Sequence, residues 1–343
     1  IMYTSGTTGN PKGAMITYGM TFWNVINALT PHRVSEDMVN LVVLPLFHTG
    51  GLNCYANPAV HMGGTNIIVR SFDPGECLKL LSDPNYGVTH MLAVPTNYLF
   101  MSQHPTFEQS DLSHVKTFGI GGAPTPKEMI NTYAKRDIGL QQVFGMTETS
   151  PLVSALTAEN AMQKIGSAGL PVLHNQVKIM TENGEPISTP ETVGELWVKG
   201  PNITPGYWNK PEVNATAFTD GWLHTGDAAY LDAEGFIYIV DRWKDMYISG
   251  GENVYPAEIE NVIYQLPQVG EVAIIGVSDD RWGEVGQAII VIKPEQTLDE
   301  QTVLKHCSDK LAKFKQPQSV RFIDEIPHNA TGKVLKRELR LQS

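Results

Sequence analysis

The sequence predicts an α/β protein with three parts: a large domain built on a parallel sheet, a small antiparallel β-barrel-like unit, and a C-terminal α+β domain. Its 343 residues suffice for about two domains. Up to about residue 165, short apolar runs alternate with helix-like stretches, which is typical of a parallel sheet. After that point Gly, Pro and Asn turns separate the strand-like runs, which indicates antiparallel pairing.

Residues 1–165 are predicted to contain the parallel sheet. Its strands are short apolar runs at 41–44, 65–69, 88–92 and 115–118. Helices are predicted at 74–81 and 126–135 because each begins with a proline, whose missing N–H is not needed in the first turn of a helix.

Residues 166–243 are predicted to form the β-rich unit, and residues 244–343 the C-terminal α+β domain. Strand-like runs of the β-rich unit lie at 177–180, 194–198 and 235–240. The C-terminal domain is predicted to contain helix, strand, strand, helix and strand, at 256–264, 272–277, 287–292, 299–311 and 319–323. Its length of about 100 residues is common for a domain.

The balance of charges narrows the choice of partners. With 25 basic and 36 acidic side chains, the net charge is −11, which argues against nucleic acid or an anionic membrane as the main partner. No apolar run approaches the ~18 residues of a membrane-spanning helix. One basic cluster near the C-terminal end is either a solvated helical face or a landing site for a polyanionic small molecule: Lys305, Lys310, Lys313, Lys315, Lys333, Lys336 and Arg337.

Cysteines are few and widely spaced. Cys54, Cys77 and Cys307 indicate neither a disulfide framework nor a thiolate metal site. A reducing compartment is therefore expected, and the protein is predicted to be cytoplasmic.

The segment Tyr3-Thr-Ser-Gly-Thr-Thr-Gly-Asn-Pro-Lys-Gly13 has the composition of a phosphate-binding loop. Glycines let successive backbone N–H groups converge on an anion, and hydroxyls add further donors. Lys12 supplies a positive charge suited to phosphate oxygens. The spacing is not that of a Walker loop, and a flexible surface loop is the weaker alternative.

Further motifs follow this loop in order: Pro45-Leu-Phe-His48, Gly121-Gly-Ala-Pro124, Phe144-Gly-Met-Thr-Glu148, His224-Thr-Gly-Asp227, Asp241-Arg-Trp-Lys-Asp245, Ser249-Gly-Gly-Glu-Asn253 and Thr331-Gly-Lys333. The ordered set covers the whole chain and resembles the adenylate-forming superfamily of acyl-CoA synthetases, luciferases and peptide-synthetase adenylation domains. Members of that superfamily carry a substantial segment before the Gly-rich loop. The sequence is therefore expected to be the C-terminal part of a longer protein, with its large domain incomplete.

For the nucleotide, the resemblance implies a phosphate loop, an adenine pocket and a ribose site. The implied nucleotide-binding residues are Thr4, Ser5, Gly6, Thr7, Thr8, Gly9, Lys12, Gly121, Gly122, Ala123, Pro124, Phe144, Gly145, Asp227 and Arg242. Phe144 departs from the superfamily's usual tyrosine; it can stack on adenine but has no hydroxyl. Each residue also has an ordinary alternative: Gly121 to Pro124 could be a plain turn, and Arg242 could form a salt bridge with Asp241 or Asp245.

For catalysis, the resemblance implies a metal ligand, three catalytic residues, a hinge and a thiol channel. Glu148 would hold Mg²⁺, and Thr147 would donate to the α-phosphate or the acyl carboxylate. His48 would position the acyl carboxylate, although an isolated histidine there is more often structural. Lys333 would be the catalytic cation and Lys244 the hinge between domains. Gly250 and Gly251 would border the channel for the thiol of coenzyme A.

The function so implied is an ATP-dependent, AMP-forming carboxylic acid–CoA ligase with ATP, Mg²⁺ and coenzyme A as cofactors and a small carboxylic acid as substrate. Gly119 and Gly121 are expected to leave open room beneath the adenylate, with Leu52, Val94 and Pro95 as apolar walls. This favours a fatty acid, while an aryl or phenylpropanoid acid fits nearly as well. A nucleotide-binding fragment without catalysis is the alternative from another class.

Overall fold

The computed structural model describes residues 1–4, 11–123, 125–243, 245–328 and 334–341. The chain divides into two compact units. The first comprises Ile1–Thr225 and Tyr230–Tyr238, and the second comprises Gly226–Ala229 and Ile239–Ser343.

The strands of the described residues are β1 (Met2–Thr4), β2 (Lys12–Ala14), β3 (Val39–Val42), β4 (Thr65–Ile68), β5 (His90–Ala93), β6 (Thr117–Gly121), β7 (Leu140–Gly145), β8 (Leu152–Ala155), β9 (Leu170–Pro171), β10 (Gln176–Met180), β11 (Pro186–Ile187), β12 (Gly194–Lys199), β13 (Phe218–Thr219), β14 (Trp222–Leu231), β15 (Ile237–Arg242), β16 (Tyr247–Ser249), β17 (Glu252–Val254), β18 (Val269–Asp279), β19 (Gly283–Ile292) and β20 (Ser319–Phe322).

The helices are α1 (Tyr18–Leu29), α2 (Asn57–Met62), α3 (Pro74–Ser82), α4 (Pro95–Gln103), α5 (Lys127–Ala134), α6 (Ala158–Ala161), α7 (Pro211–Ala217), α8 (Pro256–Ile263), α9 (Glu300–Ser308) and α10 (Lys336–Arg340). A π-helical turn covers Gly50–Ala56, and 3₁₀ turns cover Phe107–Gln109, Thr147–Thr149 and Lys313–Lys315.

The first unit is built on a sheet whose described strands have the order β4-β3-β5-β6-β7-β8-β9. From β4 to β7 all neighbouring strands are parallel, whereas the pairs β7–β8 and β8–β9 are antiparallel. Buried strand residues such as Met91 and Ile120 pack on Leu78 of α3 and on Met101 of α4. The predicted parallel sheet is therefore confirmed. Its strands are apolar, and such strands need helices to cover them.

The β-rich part forms an open antiparallel sheet of order β11-β10-β12-β14-β13, with β15 on β14. Antiparallel pairing was predicted here and is found. The predicted barrel-like closure is not found, because within the described residues this sheet has free edges and forms no closed barrel.

The second unit has the predicted α+β composition. A sheet of order β17-β16-β19-β18, with β20 parallel to β19, packs against α8 and α9. The long β18–β19 hairpin gives this sheet its core residues, among them Ile274 and Ile290. The helix predicted at 299–311 begins at Glu300 because the Asp299 side chain caps it by accepting from the Thr302 N–H at 2.7 Å.

All three cysteines of the sequence are unpaired and buried. Burial raises the pKa of the Cys54 thiol to about 12 and those of Cys77 and Cys307 to about 11. Among the described helices, none has the length and apolar character that crossing a membrane requires.

Candidate active site

Three predicted motifs of the first unit lie at or after the carboxyl ends of neighbouring parallel strands. Because β3, β5, β6 and β7 are parallel neighbours, their carboxyl ends lie at the same edge. His48 follows β3, Gly121 ends β6 with Gly122 and Ala123 after it, and Phe144 and Gly145 end β7. In open sheets of this kind, ligands bind outside the carboxyl ends of the strands.

Gly145 allows β7 to turn sharply toward Glu148. A Cβ at this position would lie 1.8 Å from the carbonyl oxygen of Pro151, so only glycine fits. The Met146 N–H then donates to Thr149 Oγ1 at 3.0 Å, which closes the 3₁₀ turn. Thr147 and Glu148 within that turn are only 6% and 5% exposed, so the fold sets their positions.

The Glu148 carboxylate has a specific hydrogen-bond donor. Its Oε1 accepts from the Tyr207 hydroxyl at 2.6 Å, and the Glu148 carbonyl oxygen accepts from the Thr204 N–H at 2.7 Å. A buried carboxylate needs such donors, because without them its desolvation is costly. Tyr207 could not be predicted from the sequence, because it lies in a turn-rich stretch 59 positions from its partner and no local pattern connects the two.

These residues fit a magnesium ion that is held mainly by phosphate oxygens. Within the described ranges, no three His, Cys, Asp or Glu side chains cluster as a metal site. Mg²⁺ is commonly held by one or two carboxylates together with substrate phosphates, so a single buried acid is sufficient.

The Gly-rich segment lies between two paired strands. β1 and β2 are antiparallel, with Thr4 opposite Lys12, and the Thr4 hydroxyl donates to the Lys12 carbonyl at 3.5 Å. Lys12 Nζ lies 5.4 Å from the ring centroid of Tyr207. The predicted phosphate-binding residues Ser5, Gly6, Thr7, Thr8 and Gly9 lie outside the described residues.

His48 lies two residues before Gly50, the first residue of the π-helical turn. Its Nδ1 accepts from the Gly50 N–H at 3.1 Å, so the neutral ring carries its proton on Nε2. A Cβ at Gly51 would lie 2.3 Å from the Pro45 carbonyl oxygen, so the chain here is folded closely on itself. π-helical turns of this kind occur often at functional sites.

The open room expected at Gly119 and Gly121 is absent, so that expectation is wrong. A Cβ at Gly119 would lie 2.4 Å from Tyr55 Oη, and one at Gly121 would lie 2.6 Å from the Val143 carbonyl oxygen. The Tyr55 hydroxyl is held at 3.1 Å from His32 Nδ1. These glycines therefore make space for neighbouring protein groups. At Gly119 the phenol of Tyr55 occupies the room that was expected for the acyl chain of a fatty acid.

Asp227 and Arg242 form an ion pair within the second unit. Arg242 Nε lies 3.1 Å from Asp227 Oδ1, and Asp227 is only 6% exposed. The alternative salt bridges of Arg242 are not found among the described contacts. Asp241 instead accepts backbone N–H bonds from Arg242 at 2.7 Å and Ala257 at 2.9 Å, and Asp245 lies 3.4 Å from Arg340.

Gly250 and Gly251 form the tight turn between β16 and β17. Their φ angles of 61° and 87° are in the left-handed region that favours glycine. The Gly250 N–H donates to the Trp282 carbonyl at 2.8 Å, and a Cβ at Gly250 would lie 2.8 Å from the Trp282 ring. Three other predicted site residues, Pro124, Lys244 and Lys333, lie outside the described residues.

Comparisons with known proteins show the family of the chain. The family model "AMP-binding enzyme" matches residues 1–208, and "AMP-binding enzyme C-terminal domain" matches residues 258–333. A feruloyl-CoA synthase of Amycolatopsis sp is 43% identical over 340 residues, which cover 99% of this chain and 69% of that protein.

Solved structures are similar over nearly the whole chain. The ATP-bound structure of MatB from Rhodopseudomonas palustris has a TM-score of 0.93 and 34% identity, and the match covers 100% of this chain and 67% of that one. The o-succinylbenzoate coenzyme A synthetase (MenE) from Bacillus subtilis, in complex with ATP and magnesium ion, has a TM-score of 0.89 and 34% identity. That match covers 98% of this chain and 69% of the MenE chain.

These matches confirm the enzyme class predicted from the motifs, an AMP-forming acid–thiol ligase. ATP and Mg²⁺, two of the predicted cofactors, are bound in a solved relative. On its motifs, its fold and the two matched family models, the chain belongs to the AMP-binding enzyme family, within the adenylate-forming superfamily.

Proposed function

We propose that this chain activates an aromatic carboxylic acid with ATP and transfers the acyl group to coenzyme A. The observation that carries the choice of acid is Tyr55, whose phenol fills the space beside Gly119 where an aliphatic chain was expected to extend. The names of two relatives, a feruloyl-CoA synthase and an o-succinylbenzoate coenzyme A synthetase, support the same class of acid.

In the first step, a carboxylate oxygen of the acid attacks the α-phosphorus of ATP and pyrophosphate leaves. The acid and the triphosphate are both anionic, so their charges must be neutralised and their atoms aligned. We assign Lys12 and the Gly-rich segment to the phosphates, Thr147 to the α-phosphate, and Lys333 to the charge that develops in the transition state. Glu148 would hold Mg²⁺, which when bound would further neutralise the phosphate oxygens.

The remaining residues bind and orient the two substrates. We assign Gly121, Gly122, Ala123, Pro124, Phe144 and Gly145 to the adenine, and Asp227 with Arg242 to the ribose hydroxyls. His48, whose proton lies on Nε2, can donate to the acid's carboxylate and orient it. A buried Asp227 oxygen accepts well from a hydroxyl, because little water competes for it.

In the second step, the thiol of coenzyme A attacks the acyl carbon of the acyl-adenylate, and AMP leaves with the electron pair of the broken C–O bond. We assign the bare backbone of Gly250 and Gly251 to the path of the thiol. Lys244 is assigned as the hinge that changes which residues face the acyl-adenylate between the two steps.

Acid-dependent exchange of labelled pyrophosphate into ATP tests the first step without coenzyme A. Ferulic, benzoic and arylacetic acids should support exchange, and palmitic acid should support little. Coenzyme A should then convert the bound acyl-adenylate to a thioester. Exchange with fatty acids alone would contradict the aromatic assignment, and ATP binding without exchange for any acid would indicate a nucleotide-binding protein without catalysis.

A further inference from the structure

We propose that Tyr207 is a positioning residue: it orients the Glu148 carboxylate and places the Lys12 ammonium so that both can bind a metal–nucleotide complex. This inference rests on the proposed function, in which Glu148 holds Mg²⁺ and Lys12 faces phosphates. It adds a residue that neither the motifs nor the roles assigned above contain.

The first contact of Tyr207 orients the carboxylate. Its phenolic O–H donates to Glu148 Oε1 at 2.6 Å, in a site where both residues are less than 9% exposed. A short hydrogen bond to an ionised acceptor is among the stronger kinds in proteins. It satisfies one carboxylate oxygen and fixes the plane of the group, so that the second oxygen has a defined direction for a cation.

The second contact of Tyr207 places the cation of Lys12. The ammonium lies 5.4 Å from the centre of the phenol ring, within the range in which the negative face of an aromatic ring attracts a positive charge. Lys12 is half-buried at the start of β2. The ring therefore limits the positions open to a long and otherwise flexible side chain.

Tyr207 can act in this way because its own backbone is fixed. Its N–H donates to Asn214 Oδ1 at 2.8 Å, and Asn214 Nδ2 returns a bond to the Tyr207 carbonyl at 3.1 Å. Tyr207 forms a β-bridge with Ala14, and the Trp208 N–H donates to the Gly13 carbonyl at 2.8 Å. The residue is thus joined to β2, the strand on which Lys12 lies.

The two contacts use different parts of one side chain, so substitutions can separate them. Tyr207→Phe removes only the hydroxyl and leaves the ring under Lys12. Tyr207→Leu removes both the donor and the aromatic face. A role confined to packing would not distinguish metal-bound from metal-free nucleotide, whereas positioning of Glu148 would.

Calorimetric binding of ATP, measured with excess Mg²⁺ and again with a chelator, separates these effects. Tyr207→Phe should weaken binding of the magnesium complex roughly 10- to 100-fold, the usual result of losing a partner of a metal ligand, and should leave metal-free ATP unchanged. Tyr207→Leu should also weaken metal-free ATP, by roughly two- to fivefold. Tyr238→Phe is the matched control, because Tyr238 stacks on Tyr230 in the same unit.

Glu148→Gln distinguishes failure of this inference from failure of the proposed function. If Glu148→Gln weakens binding of the magnesium complex but Tyr207→Phe does not, the positioning role is wrong and the metal role stands. If both variants bind the magnesium complex as the wild type does, the metal role of Glu148 is itself wrong. If Tyr207→Phe weakens both forms of ATP equally and lowers the unfolding temperature more than Tyr238→Phe, Tyr207 acts by packing and the inference is overturned.

Discussion

At the scale of single residues, Asp227 carries a prediction about the nucleotide sugar. Its buried carboxylate pairs with Arg242 in the second unit and is proposed to accept from both ribose hydroxyls. Asp227→Ala should weaken ATP binding by about 1–3 kcal/mol, because those hydroxyls lose their partner. In the variant, ATP and 2′,3′-dideoxy-ATP should bind equally, whereas the wild type should prefer ATP. Calorimetry measures both affinities.

The control for this substitution is Asp309→Ala, which removes one exposed negative charge from the same unit. It should leave the preference for ATP over the dideoxy nucleotide intact. An Asp227→Ala variant that keeps that preference would remove Asp227 from the ribose site.

A second prediction at this scale concerns Gly145, where a Cβ would lie 1.8 Å from a backbone oxygen. Gly145→Ala should lower the free energy of unfolding by about 1–3 kcal/mol, the usual effect of overpacking, and should displace the turn that carries Glu148. Denaturant unfolding measures the loss. Gly19→Ala in α1 is the control, because its Cβ would contact only Thr17 Oγ1 at 3.7 Å; equal stability of the two variants would contradict the prediction.

At the scale of elements, two buried histidines contact each other in the first unit, His90 in β5 and His32 in the turn after α1. His90 Nε2 donates to the His32 carbonyl at 2.8 Å, and the Tyr55 hydroxyl contacts His32 Nδ1. Burial lowers the pKa of His32 to about 3, aided by the nearby charge of His90 when that is protonated. Burial also lowers the pKa of His90 to about 4. The folded protein thus keeps both rings neutral over a range in which the unfolded chain, with a pKa near 6.5, binds protons.

These histidines should make the folded state sensitive to acid. Their contribution to stability is complete above pH 6.5 and is lost as pH falls toward 4, by about 1.4 kcal/mol per pH unit for each ring. His90→Gln should reduce that slope by one such contribution. Urea unfolding at pH 7.5, 6.0 and 5.0 measures the slope, and His114→Gln, at an exposed position, should leave it unchanged. An identical slope in His90→Gln and wild type would disprove the assignment.

Elements that carry their own local signal could be predicted from the sequence. The strand predicted at 177–180 is Gln176–Met180, and the helix predicted at 74–81 is Pro74–Ser82, where Asp73 caps and Pro74 begins the first turn. Helix α1 was not predicted. It contains Asn24 and Asn27, buried polar residues that break an apolar pattern. The Asn24 side chain bonds to groups far away along the chain, the Asn53 carbonyl at 2.7 Å and the Leu152 N–H at 3.0 Å.

The residues of the candidate site likewise differ in whether the sequence could predict them. Glu148, His48 and Asp227 stand in compact motifs, and the resemblance of those motifs to the superfamily made them candidates. No local motif could reveal Tyr207 or Tyr55, because each contacts a residue far away along the chain. The filled space at Gly119 shows the limit most clearly: a glycine indicates that something approaches closely, but not whether that is a substrate or another part of the protein.

At the scale of the whole molecule, Lys333 and Lys244 should affect different half-reactions. Lys333→Ala should slow adenylate formation by roughly 10²–10³, the scale for one lost charge-stabilising group, and should still convert supplied acyl-adenylate to thioester. Lys244→Pro restricts backbone rotation at the proposed hinge, so it should spare adenylation and impair thioester formation. Both half-reactions are measured separately in both variants. Equal slowing of the two steps by each substitution would mean that neither residue serves one step alone.

The burial of all three cysteines has a practical consequence for studying the protein. A thiol with a pKa of about 11 or 12 is almost entirely protonated near neutrality, and it is the thiolate that reacts with disulfide reagents. The folded protein should therefore give little colour with an aromatic disulfide reagent, while free coenzyme A reacts fully. Consumption of coenzyme A can then be followed directly by its thiol, and a slow rise in the protein's own signal would report its unfolding.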